Sequence, residues 1–210
     1  NPRREAAPAP RRGYPTQPNM GAGALAGFTI DFQVKATNVN NFLGANWFDI
    51  WKLIDTEDKG FVKTEVVRDF IAANAGKFTS PEFPTGFFAP ILGADGKIKH
   101  KVYLRAFLHT TLRDGGHQNT NVYDYEFRRL CRYLFLMNEL SVLCGETEAE
   151  EKTLNKADFV SSTRAVFADI DDATLDRAFA NIDDLGGNKW KNDLICFDEF
   201  CHYIFCVMDA

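Results

Sequence analysis

Apolar residues recur at helical spacing in short blocks along the chain, and a polar or glycine-bearing turn ends each block. Trp47, Phe48, Trp51 and Ile54 share one face of a first helix. The turn Asp55-Thr-Glu57-Asp-Lys-Gly60-Phe-Val62 follows, and Val66, Val67, Phe70 and Ile71 mark a second helix. A second unit places Phe87, Phe88 and Ile91 before the turn Gly93-Ala-Asp95-Gly96-Lys-Ile98, with Val102, Tyr103, Leu104, Phe107 and Leu108 after it. The glycine-rich stretch 113–121 breaks the helical pattern and reads as a linker. Beyond it runs a long apolar helix from Tyr125 to about Leu143, then the polar loop Cys144 to Leu154 and a helix through Phe159, Val160, Val166 and Phe167. Asp171 or Asp172 can cap the next helix, which carries Leu175, Ala178, Phe179 and Ile182. An acidic loop and a last helix through Phe200, Ile204 and Phe205 complete a fourth unit.

Four helix-loop-helix units paired two and two predict an all-α fold of two lobes, residues 41–112 and 122–210, joined by the linker 113–121. Before them, residues 1–40 read as an extended arm. Prolines stand at positions 2, 8, 10, 15 and 18, and such a stretch builds no helix with its own core. The arm carries Arg3, Arg4, Arg11 and Arg12 against Glu5, so the net charge of -5 belongs to an acidic body. That balance excludes nucleic acid as the favoured partner. No apolar run is long enough to cross a membrane as a helix. Five cysteines, an odd number inside apolar helical patterns, predict free buried thiols in a reducing setting.

A helix, an acidic loop with one buried aliphatic residue, and a second helix opening on a carboxylate form the layout of an EF-hand. Its twelve-residue loop needs oxygen ligands at positions 1, 3, 5 and 12, glycine at 6 and an aliphatic residue at 8. In the first loop Asp55, Glu57, Gly60 and Val62 fit positions 1, 3, 6 and 8. However, Lys59 takes position 5, Lys63 position 9 and Val66 position 12. The second, aligned by Ile98, has Ile91 first and Val102 last. The third, aligned by Leu154, has Lys152 where glycine belongs and Asp158 last. In the fourth, Ile195 and Glu199 are in place at positions 8 and 12, but the stretch from Asp183 is longer than a standard loop. Counted back from Glu199, Asn188 comes first and Trp190, which offers no oxygen, third. Alternatively Asp183 and Asp184 open an expanded loop. The expected cofactor is none. If one Ca2+ binds, it sits in the fourth loop among Asp183, Asp184, Asn188, Asn192 and Glu199. The aliphatic residues are expected to pair the loops regardless, at Val62/Ile98 and Leu154/Ile195.

The second half resembles the kinetoplastid flagellar calcium-binding proteins, the calflagins, of the EF-hand, calmodulin-like superfamily. The likeness lies in Glu126-Phe127-Arg-x-Leu-Cys131, Glu139-Leu140-x-Val142, Ala178-Phe-x-x-Ile-Asp183 and Phe197-Asp-Glu-Phe-Cys201. The resemblance implies a bilobal helical fold, calcium sensing through the last two loops and membrane attachment through an acylated N-terminal glycine. The ligand set departs from this, and Met20-Gly21-Ala-Gly-Ala-Leu25 lacks the serine or threonine of a myristoylation signal.

Other chemistry finds little footing. Cys196, Cys201, His202 and Cys206 lie on one apolar helix rather than on a metal-binding turn, and Gly115-Gly116 follows no strand. Nothing points to catalysis. The many aromatic residues suit a groove held by a permanently bound partner, on which the arm would order. The sequence therefore predicts a non-enzymatic structural or accessory subunit of a larger complex. The alternative is a calcium sensor of the calflagin type. Free thiols imply an intracellular setting. Asn1 implies either a removed leader or a truncated chain; with an Arg-, Ala- and Pro-rich start, the leader reading predicts a mitochondrial location, with the flagellar cytoskeleton second.

Overall fold

The computed structural model describes residues 22–112, 120–145, 152–185 and 193–208; for residues 22–31, 112 and 183–185 it describes the backbone alone. The chain is mostly helical, with seven α-helices and two small two-stranded sheets among the described residues. Helix α1 (Ala22–Ile54) leads through a turn to strand β1 (Phe61–Lys63) and helix α2 (Thr64–Ala73). An irregular stretch with one 3-10 turn (Ala89–Ile91) precedes helix α3 (His100–Leu112), strand β2 (Asn121–Tyr123) and helix α4 (Asp124–Cys144). Strand β3 (Thr153–Leu154), helices α5 (Lys156–Val166) and α6 (Asp172–Leu185), strand β4 (Ile195–Cys196) and helix α7 (Phe197–Met208) follow.

Helix α4 is the axis. Tyr133, Leu134, Phe135, Leu136 and Met137 are five successive buried residues, so the helix is covered on every side rather than along one stripe. Helices α1 and α3 flank it, and α7 lies against its middle, where Tyr133 stacks on Phe205 at 4.4 Å. Two of its buried polar side chains bond to backbone carbonyls. Asn138 donates to the carbonyl of Pro90, and Ser141 donates to the carbonyl of Asn138.

Three expectations are corrected. The arm does not reach residue 40, because α1 already begins at Ala22. Phe32, Ala36, Val39 and Leu43 recur at helical spacing and are buried, which gives the segment the apolar face a helix needs. Residues 1–21 lie outside the described residues. The stretch with Phe87, Phe88 and Ile91 is not an amphipathic helix; Pro81, Pro84 and Pro90 interrupt it, and Gly86 turns at φ 106. A Cβ on Gly86 would stand 2.2 Å from the carbonyl oxygen of Ala75, so the turn requires glycine. Finally, Val62 does not pair with Ile98. It pairs with Val122, whereas Ile98 forms an isolated bridge with Leu92. Asn121, at the end of the expected linker, thus belongs to a strand. The Leu154/Ile195 pairing forms as expected.

The irregular stretch is the source of a dense aromatic cluster. Phe87 stacks on Phe42 of α1 at 4.1 Å, meets Phe135 of α4 at 4.6 Å, and is crossed by Phe83 and Phe88. Phe87 and Phe88 are fully buried. The first half of α1 covers the other end of the molecule, where Gln33 donates to the carbonyl of Val166 and Lys35 pairs with Glu139. Buried residues from both halves of the chain form one continuous cluster. Phe87→Ala is expected to cost about 3–5 kcal/mol, read from denaturant unfolding, because neighbours on three elements cannot collapse together onto the void.

Candidate functional site

The two strand pairs and the turns around them are where a helix-loop-helix protein would do its chemistry. In the first turn the carboxylate of Asp55 is buried and held by its own backbone. One oxygen accepts from the N–H of Lys59 at 3.1 Å and the other from the N–H of Gly60 at 2.7 Å. Asp58 at φ 52 and Gly60 at φ 75 give the turn its curl, and glycine makes the second of these conformations inexpensive. The ammonium of Lys59 pairs with Glu57, which raises the lysine pKa through that bond and its charge. Val66, one turn into α2, is exposed and offers no oxygen.

The turn feeds an antiparallel ribbon in which Phe61, Val62 and Lys63 face Tyr123, Val122 and Asn121. Bonds from Thr64 N–H to the carbonyl of Thr120 and from Asp124 N–H to the carbonyl of Gly60 extend it. A second ribbon pairs Thr153 with Cys196 and Leu154 with Ile195. Three helix starts beside these ribbons are capped by side chains. Glu126 accepts from the N–H of Tyr123 at 2.9 Å, Glu199 from the N–H of Cys196 at 2.8 Å, and Asn155 from the N–H of Asp158 at 3.0 Å. The first two are the carboxylate halves of capping boxes, and each contents a helix-start N–H that lacks an intrahelical acceptor.

Of the five residues expected around a Ca2+, only Glu199 has a described side chain, and it bonds to the backbone. Asp183 and Asp184 fall in the last turn of α6 with backbone alone described, while Asn188 and Asn192 lie outside the described residues. At the Asp55 turn each carboxylate oxygen accepts from one backbone N–H, and the Lys59–Glu57 ion pair stands beside it. Among the described residues no group of three or more His, Cys, Asp or Glu is placed to hold a metal. Asp95 accepts from the N–H of Lys97 within a turn closed by Gly93 and Lys97, and contributes to neither ribbon. The sequence reading missed Glu126. Its signal was present: Val122 precedes Glu126 by the same spacing that separates Ile195 from Glu199.

A cluster of charged and aromatic groups joins α3 to α7. Arg105 pairs with Asp198 and lies over the ring of Phe197, while His109 stacks on His202 at 5.6 Å and meets the edge of Phe205. Cys206 lies 3.6 Å from Nε2 of His202. All five cysteines are free thiols, with Cys131, Cys144 and Cys201 buried. Burial, helped by the charges of His202 and Arg105, pushes the His109 pKa down to about 4. No family model, no curated protein and no solved structure matches this chain.

His109 is neutral in the folded protein at pH values where the unfolded chain already binds a proton. Its contribution to stability is therefore complete above about pH 6.5 and is lost as the pH falls towards 4. Chemical denaturation across that window should show a steeper loss for the parent protein than for His109→Phe, which keeps an aromatic ring on Phe205 and cannot titrate.

Proposed function

We propose that the protein is a non-enzymatic structural or accessory subunit, built on a degenerate, calmodulin-like pair of EF-hand pairs. On this reading the first pair consists of α1–β1–α2 and α3–β2–α4, and the second of α4–β3–α5 and α6–β4–α7. Helix α4 serves as the last helix of one pair and the first of the next. The stretch 93–98 is then an insertion between two hands rather than a calcium loop.

The observation that carries the reading is the filling of both would-be grooves by the chain itself. Residues 74–99 drive Phe83, Phe87 and Phe88 between α1 and α4. The first half of α1 lies along α5 at the other end. An EF-hand sensor keeps its groove closed without calcium and opens it for a target helix when the ion binds. Here the chain itself already lies in both would-be grooves, and the Asp55 carboxylate accepts from two backbone amides. Such a body is suited to a constant shape, and its partners, other subunits of an assembly, would meet its outer surface and its N-terminal arm. No helix among the described residues is long and apolar enough to cross a membrane. A mitochondrial assembly remains the proposed setting, with the flagellar cytoskeleton as the alternative.

Glu126 and Glu199, each at the twelfth position of a loop whose eighth residue pairs in a ribbon, favour the competing reading of a calcium sensor. Isothermal titration with calcium separates the two. The scaffold reading expects no saturable heat at micromolar to millimolar calcium, and Glu199→Gln, which keeps an acceptor for the Cys196 N–H, should leave the helices intact and alter no calcium response. Micromolar binding at two sites, abolished by Glu199→Gln at one of them, would establish the sensor instead.

A further inference from the structure

The outer face of the β1–β2 ribbon carries a row of three aromatic rings that the core does not use. Phe61 lies 5.8 Å from Tyr123, and Tyr123 stacks on Tyr125 at 5.6 Å with an interplanar angle of 22°. Phe61 is 39% and Tyr125 57% exposed, whereas the aliphatic partner Val122, on the opposite face, is buried. Charged groups flank the row: Asp58 lies in the turn before Phe61, Asp124 Oδ1 accepts from the N–H of Tyr125 beside the other end, and Lys63 is exposed on the same strand as Phe61. A row of exposed aromatic rings flanked by carboxylates is the kind of surface that receives proline-rich peptides in the left-handed, three-residue-per-turn conformation.

The chain also carries a ligand of that chemistry. Arg12-Gly-Tyr-Pro15-Thr-Gln-Pro18 spaces an arginine and two prolines at intervals of three. In a polyproline helix, residues three apart lie on one face and about 9 Å apart. Such a face would set Pro15 and Pro18 on the rings and Arg12 towards one of the flanking carboxylates.

Connectivity decides whose arm this is. The ribbon follows the C-terminal end of α1, a helix of 33 residues and so about 50 Å long. Arg12, Pro15 and Pro18 precede Ala22 at the opposite end, and even fully extended the intervening residues carry them at most about 35 Å. A chain cannot seat this segment on its own ribbon. We propose that the Phe61–Tyr123–Tyr125 row docks residues 12–18 of a second copy of this chain, giving a self-association in which arm and ribbon belong to different molecules. The inference deepens the scaffold reading by naming a partner for the arm.

Sedimentation velocity of the full chain over a wide concentration range tests it, with three perturbations. The parent protein should gain mass with concentration. Phe61→Thr/Tyr125→Ala and Pro15→Ala/Pro18→Ala should each weaken association by about tenfold or more, in line with the loss of aromatic anchor residues from an interface. A synthetic peptide of residues 10–20 should return the parent to monomer. Circular dichroism checks that both double variants fold. A chain that stays monomeric at every concentration, whether or not it binds the peptide, overturns the proposal. Association indifferent to both double variants overturns it equally. Those failures would leave the absence of a calcium response, and hence the scaffold reading, intact.

Discussion

The architecture follows from one demand, that a helix with apolar residues on every side be covered on every side. Helix α4 buries Phe127, Leu130, Leu134, Phe135, Met137 and Leu140, and no single neighbour can shield such a circumference. Helices α1, α3 and α7 and the 3-10 turn at Ala89–Ile91 share the task. Burial of a large side chain contributes roughly 1.5–3 kcal/mol, so leaving one flank of α4 open would forfeit several such contributions against a marginal net stability. The irregular stretch 74–99 is ordered for the same reason: it has no regular structure of its own and is fixed through Phe83, Phe87 and Phe88. The bond from Asn138 to Pro90 then ties α4 to the backbone of that stretch.

Helix α4 packs against elements from both halves of the chain. Tyr133 against Phe205 and Arg105 against Asp198 join α7 to elements of the first half, and the buried residues merge into one core. Two ribbons run through it. Val62 with Val122 and Leu154 with Ile195 supply the apolar contact, and Asp55, Glu126 and Glu199 supply acceptors to amides that would otherwise lack them. On the proposed reading, residues whose counterparts in a sensor would ligate a metal here satisfy backbone donors.

Much of this was legible in the sequence. The long apolar helix before Leu143, the pairing of Leu154 with Ile195 and the free thiols all follow from periodicity and spacing. Val62 was assigned the wrong partner because Asp95-Gly96 followed by Ile98 imitates a loop, whereas the true partner stands after a glycine-rich stretch that reads as a linker. Only a contact distant in sequence distinguishes the two. The start of α1 was missed because Met20-Gly-Ala-Gly-Ala reads as an arm, and the apolar stripe of Phe32, Ala36 and Val39 gains its meaning only from α5, far along the chain. Local propensity was outweighed there by tertiary burial. The candidate metal residues were legible as a composition, but of the set only Glu199 has a described side chain.

The central proposal is that the chain fills its own two would-be grooves permanently, independent of calcium. Amide hydrogen exchange measured with excess calcium and with chelator tests it most directly. The account predicts the same slow exchange in both conditions along the residues that follow Phe32 on α1, through Phe87 to Ile91, and on the α4 amides beneath them. Faster exchange at Phe87–Ile91 or at Phe32–Val39 on adding calcium would mean that these segments leave their grooves on ion binding, and would contradict it.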